Sequence, residues 1–176
     1  MRDLVCFFDI DEYKEAKRLF GIDEIVFVSR FEAGLIERLR KQAVRNKLDV
    51  KFCHIVERGN LKRNKADFLA IEVKELKDLN FASHKAIRFV LFNPKAKVDL
   101  QAIKMLAGSE KEIVFSFSEL LNASAFERAL ILKKMRLVAK LAKKAKANVK
   151  IYSLAHNAHE LRNPKSLQCI LACTGD

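Results

Sequence analysis

The chain has 176 residues, half of them hydrophobic and 32% charged, and 34 Lys and Arg against 22 Asp and Glu give it a formal net charge of +12. That length suits one domain with its own core, spanning residues 1–176, and is short for two. The composition excludes a disordered or low-complexity chain, because no Gly/Ser linker, Pro-rich stretch or biased tract interrupts it.

The first nine residues, Met1 to Asp9, hold only a short apolar run between acidic residues, without the basic, long-apolar and small-residue succession of a secretory signal. No apolar run approaches the roughly 18 residues of a membrane-spanning helix, so the expectation is a cytoplasmic chain with no membrane partner. Cys6, Cys53, Cys169 and Cys173 are scattered through apolar segments, as buried thiols in a reducing compartment would be, and no disulfide is expected.

Short apolar runs then alternate with amphipathic ones. Leu4–Ile10, Glu24–Ser29, Val50–Val56, Phe68–Val73, Ile87–Phe92, Ile113–Phe117 and Val149–Leu154 have the length of strands. Most are nearly continuous in apolar or β-branched residues, as in parallel sheets buried on both faces. Between them the period becomes helical. Asp11–Phe20 stops at Gly21, which can take the left-handed conformation after a helix. Glu32–Leu48 sets Leu35, Ile36, Leu39, Ala43 and Val44 against Arg and Lys. Asp99–Ala107 ends before Gly108. The longest helix, about Ala125 to Ala147, starts with Ser124 and Glu127 at capping-box spacing and carries an apolar stripe of Phe126, Leu130, Ile131, Val138, Leu141 and Ala145. The segment Glu57–Lys65, with Arg58, Lys62, Arg63 and Lys65, reads as a basic loop or short helix.

This βα repetition points to an α/β fold with about seven parallel strands. A doubly wound dinucleotide-binding sheet would want Gly-x-Gly-x-x-Gly after its first strand, where Asp9-Ile10-Asp11-Glu12 stands. A (β/α) TIM-like barrel needs no such motif, and the chain length makes it short or incomplete.

Catalytic and metal-binding constellations are weak. Asp9 and Asp11 lie where a strand runs into a helix, the usual place of capping acids. Ser29, Ser116 and Ser153 end strands without a nucleophile elbow. His156 and His159 ahead of Cys169 and Cys173 have a spacing that could close a zinc site, but the cysteines share an apolar helix with Leu167 and Ile170, where they read as small hydrophobes. We expect no catalytic residue, metal or cofactor. The positive charge says more, since it attracts polyanions, although a lysine-rich surface serving solubility is the competing account. Arg30 follows the second strand, Lys95 and Lys97 the fifth, and Arg162 and Lys165 the seventh. A barrel brings these loops to one rim, where they could hold phosphates. The lysines of Lys133–Lys146 read instead as a solvated face.

Phe115-Ser116-Phe117-Ser118-Glu119-Leu120-Leu121, followed by Ser124, Glu127-Arg128-Ala129 and Met135, resembles the pattern Phe-Ser-Leu-x-x-Leu-Leu, then Ser and Arg-Ala, of the archaeal ribonuclease P protein component 3 family. Ser153-Leu154-Ala155 and Arg162-Asn163-Pro164-Lys165-Ser166-Leu167 are similar to that family's Ser-Ser-Ala and Arg-x-Pro-x-Asp-Leu, and Asp99 falls where the family often has Asp. The likeness is close from Asp99 onward and limited to strand order before it. Leu154 and Ser166 depart from the pattern.

The resemblance implies a barrel like the polymerase and histidinol phosphatase group without its metal ligands. It implies a subunit that assists a catalytic RNA in 5′-end maturation of precursor tRNA. Its partners would be ribonuclease P RNA and protein component 2, in an assembly that can extend to a dimer of heterodimers, with precursor tRNA met indirectly. It also places basic residues at Arg30, Arg128 and Arg162. Two rivals stay open on the residues: a metal-dependent barrel phosphoesterase, which would turn over without RNA, and a protein scaffold with incidental basicity, which would show no salt-sensitive RNA affinity.

Overall fold

The computed structural model describes residues 1–32, 34–62, 65–107 and 110–175. Seven strands, β1 (Arg2–Val5), β2 (Glu24–Ser29), β3 (Val50–Val56), β4 (Phe68–Val73), β5 (Ile87–Phe92), β6 (Glu112–Ser116) and β7 (Asn148–Tyr152), pair in parallel and in chain order. Outside them lie α1 (Ile10–Phe20), α2 (Leu35–Arg45), α3 (Leu76–Ala82), α4 (Leu100–Lys104), α5 (Phe117–Asn122), α6 (Ala125–Ala145) and α7 (Pro164–Gly175). The connection from β3 to β4 is the basic loop, of which Arg63 lies outside the described residues, as does Gly108 after α4.

The result is the expected short TIM-like barrel, nearly closed. Leu4, Val26, Val28, Cys53, Ala70, Phe89, Leu91, Val114, Tyr152 and Leu154 fill its interior. The outward residues of the same strands pack under the helices in two further clusters. The strands therefore bury both faces, which is why their sequences run apolar without alternation.

Closure is made by side chain and loop more than by strand. After β7 the Leu154 amide donates to the Leu4 carbonyl at 2.7 Å, and the Cys6 amide donates to the Ala155 carbonyl at 2.8 Å. One residue earlier, the Asp3 carboxylate accepts the Ser153 amide at 2.8 Å. Making this turn puts Leu154 at a φ of 41°, in the left-handed region that a side chain enters at a cost of about 1–2 kcal/mol. The N-terminal end is plugged by charge. Arg2 pairs with Glu24 and lies 5.5 Å from the Phe68 ring centre, Arg88 meets Glu112 at 3.3 Å, and the Tyr152 hydroxyl donates to Glu112.

Several boundaries differ from expectation for local reasons. The first strand is Arg2–Val5 and not Leu4–Ile10, because Asp9 caps α1 through the amides of Asp11 and Glu12 at 2.9 and 3.0 Å, which puts Ile10 inside the helix. Gly21 at φ 63° ends that helix, as its sequence suggests. Phe117 opens α5 and does not extend β6, since Ser116 caps there through the Glu119 amide at 3.1 Å. Helix α2 is confined to Leu35–Arg45, inside the broader Glu32–Leu48 segment. The short α3 and α5 carry too few turns for a period to register.

On α6 the core-facing residues are Ile131, Met135, Val138 and Ala142, whereas Phe126 and Leu130 of the expected stripe are 75% and 51% exposed. Cys169 and Cys173 are likewise exposed, not buried. Leu167 carries the docked face of α7, and the two cysteines fall about 200° and 240° around the helix from it.

Candidate nucleic-acid interface

All strands are parallel, so the loops after β2, β5 and β7 do share the C-terminal rim. At its centre is a cavity of about 420 Å³ lined by Cys6, Glu72, Asn93, Ser116, Glu119 and His156, among others. Burial, then the neighbouring Glu72 carboxylate, raises the Glu119 carboxyl above its ordinary range, with Lys95 opposing. Glu72 lies 3.6 Å from Arg30 and 3.3 Å from Lys74. Among the described residues, no three His, Cys, Asp or Glu side chains are grouped to hold a metal ion.

A third carboxylate beneath the mouth is structural. Glu160, in the single-turn 3-10 helix Ala158–Glu160, is buried and accepts the His156 amide at 2.8 Å, the Ser118 hydroxyl at 2.7 Å and the Asn122 amide at 2.9 Å. Burial works against its charge, but these donors outweigh it and hold the carboxyl down at about 2. The network ties the loop after β7 to α5, and so fixes the segment that closes the barrel. Residue spacing gave no sign of it, because Ser118 and Glu160 are 42 positions apart.

The five expected rim cations, and Arg128 which the family resemblance adds, divide into two groups. Arg30 is engaged by acids, donating to Glu57 at 2.6 Å and lying 3.6 Å from Glu72. Arg128 caps the end of α5, giving hydrogen bonds to the carbonyls of Leu120, Leu121 and Ala123 at 3.2, 3.2 and 3.1 Å, which are among the carbonyls a helix end leaves unpaired. Arg162 donates to the His159 and Leu161 carbonyls, both at 2.7 Å, and lies over Phe117 at 5.5 Å. These guanidinium groups organise the rim. Lys95, Lys97 and Lys165 are exposed and remain available to an anion.

Beside the rim, α6 presents an apolar surface that the core does not use. Phe126, Leu130 and Leu137, with relative exposures of 75%, 51% and 44%, run along it. They border or adjoin a groove of about 680 Å³ walled by Pro94, Ala123, Leu130, Ile131 and Leu137. Lys95, Glu127, Lys133 and Lys134 also line this groove, and an apolar strip with a charged border is the form that interaction sites commonly take. The expected stripe is too wide: Phe126 and Leu130, with Leu137 beside them, lie about 140°, 100° and 120° around the helix from the buried Ile131, outside the arc that meets the core.

No protein-family model matches the chain. It is 30% identical over 169 residues, 93% of its length, to ribonuclease P protein component 3 of Methanocaldococcus jannaschii, and covers 67% of that protein. Its fold superposes with a TM-score of 0.84 on a chain of a cryo-EM structure of archaeal ribonuclease P with mature tRNA, at 23% identity, covering 100% of this chain and 83% of that one. Identity at that level over two thirds of the relative, together with the barrel, leads to one assignment: the chain belongs to the ribonuclease P protein component 3 family.

Proposed function

We propose that the chain is the component 3 subunit of a cytoplasmic ribonuclease P, a ribonucleoprotein in which RNA carries out 5′ maturation of precursor tRNA and this protein binds and positions. The observation that carries the reading is the 30% identity to component 3 across 93% of the chain. The barrel supports it, because its fold superposes with a TM-score of 0.84 on a chain of archaeal ribonuclease P, and the formal net charge of +12 suits a polyanionic partner. Cations on the outside neutralise closely packed RNA phosphates and release their counterions, which lowers the magnesium the RNA needs to fold. Lys95, Lys97 and Lys165 contribute from the rim, with Arg30, Arg128 and Arg162 holding the loops that present them.

The second partner is protein component 2, docking against the exposed Phe126, Leu130 and Leu137 of α6, in an assembly that can pair two such heterodimers. Precursor tRNA is reached through the RNA. The test is cleavage of precursor tRNA by ribonuclease P RNA and component 2, with and without this chain. Stimulation that requires the chain supports the reading. Cleavage by the RNA-free chain, abolished by a chelator, would favour the metal-dependent phosphoesterase.

A further inference from the structure

Helix α6 carries seven basic residues against the single acid Glu127, a net +6 and half of the chain's formal +12, within 21 of its 176 residues. The buried strip of this helix is Ile131, Met135, Val138 and Ala142. Stepping about 100° per residue, Lys133, Lys140 and Lys144 form a second line nearly opposite, with Arg136 and Lys143 beside it. Lys133, Lys140, Lys143 and Lys144 are exposed, and no carboxylate among the described residues forms an ion pair with any of the four. The line from Lys133 to Lys144 extends about 16 Å along the helix.

Helix-end electrostatics explain only part of this. Lys143 and Lys144 lie in the last turn, where the macrodipole favours cations, but Lys133 and Lys140 lie outside the last turn, beyond its reach. Elsewhere on the surface some bases are paired, among them Arg30 with Glu57, Arg40 with Asp67, Arg58 with Glu75, Lys65 with Glu37 and Arg88 with Glu110, while others such as Lys17, Arg38, Lys41, Lys95, Lys97 and Lys165 are in no ion pair among the described residues but are spread over several elements. Lys133, Lys140, Lys143 and Lys144 thus gather four exposed cations without an ion pair, among the described residues, on one helix.

We propose that the solvent-facing line Lys133, Lys140 and Lys144 of α6, with Arg136 and Lys143 beside it, is the principal surface on which this protein holds RNA phosphates. It deepens the ribonuclease P reading, on which it rests only for the identity of the RNA. Lysines on a rigid helix act as point charges, so the surface follows backbone charge and reads no sequence. Leu130 and Leu137 border the line on one side, and Lys133 also lines the groove they wall, so RNA and protein meet along this helix.

The experiment measures binding of the full chain to ribonuclease P RNA, and to an unrelated structured RNA of equal length, over a salt series. Variants are Lys133→Ala/Lys140→Ala/Lys144→Ala and, as an equal loss of charge on α1 and α2, Lys17→Ala/Arg38→Ala/Lys41→Ala. The first should lower the magnitude of the log–log salt slope by about 2 on both RNAs and weaken binding at least tenfold at low salt, with recovery in the Lys→Arg triple. The second should change affinity less than about threefold by the same reasoning. Thermal melts of each variant separate lost binding from lost folding. Equal losses in both triples would mean that charge acts in bulk and would overturn the proposal. So would an α6 triple that keeps its RNA affinity but loses component 2, which would make the face a protein site. If wild type fails to stimulate precursor cleavage while the slopes behave as expected, the subunit reading fails and the phosphate surface stands.

Discussion

Asp3 accepts a hydrogen bond from the Ser153 amide at 2.8 Å, and these two residues, 150 positions apart, join the first and last strands of the barrel where backbone pairing lapses. The second Asp3 oxygen is buried without a partner, and burial raises the carboxyl to about 7 against the pull of its bonds from Ser153 and Leu4. The unfolded carboxyl titrates near its ordinary value of about 4. Between pH 4 and 7 the unfolded state therefore holds fewer protons at this site than the folded one, and stability falls as pH rises through that window, by something on the order of 4 kcal/mol in all. Asp3→Asn keeps an oxygen for the two amides and removes the buried charge. Its melting temperature at pH 8 should exceed that of wild type, with the gap closing toward pH 4. A variant less stable than wild type at pH 8 would show that the ionised carboxylate is needed at the seam.

Glu160 has the opposite sign. Its carboxyl is held at about 2, below the ordinary value, so its stabilising effect is present above about pH 4.5 and is lost as pH falls toward 2. Glu160→Gln should cost about 1–3 kcal/mol at pH 7, because an amide mismatches the donors of His156, Ser118 and Asn122. The deficit measured by urea denaturation should shrink below pH 3. A deficit independent of pH would place the loss in packing and not in charge.

Leu154 combines a buried side chain with a φ of 41°. Leu154→Ala loses about 2–5 kcal/mol of packing and keeps the strain, whereas Leu154→Gly loses the same packing and relieves it. Denaturant titrations should therefore rank wild type, then Gly, then Ala, the reverse of the usual order for Gly and Ala. An Ala variant more stable than Gly would mean that the turn relaxes when the side chain is gone.

Leu130→Asp/Leu137→Asp introduces charge at two exposed positions of α6, at little cost to the fold, and should weaken component 2 binding at least tenfold in calorimetry. Leu19→Asp, at a position of α1 that is 54% exposed, is the matched control and should leave binding unchanged. Equal affinity for both variants would move the partner surface away from α6.

The strands β2 to β5 were legible to the residue because burial on both faces leaves a nearly continuous apolar run. The caps at Ser124 and Asp9 were legible because capping is local chemistry, and Ser124 does accept from the Glu127 amide while Asp9 accepts from the Asp11 amide at 2.9 Å. Asp3–Ser153 and Ser118–Glu160 were not, since they join residues far apart in sequence and depend on the barrel already having formed. Positions of the rim arginines could be read from strand order, but their occupation by carbonyls and carboxylates could not. The same limit applied to α6, where periodicity detects apolar residues without saying how wide an arc of the helix meets the core.

The most direct measurement is a magnesium titration of precursor tRNA cleavage by ribonuclease P RNA and component 2, with this chain present or omitted. With the chain present, half-maximal cleavage should come at a several-fold lower magnesium concentration, and the advantage should shrink as magnesium saturates the RNA. Superimposable titrations, with the chain folded and present in excess, would contradict its assignment as a subunit that supports the RNA.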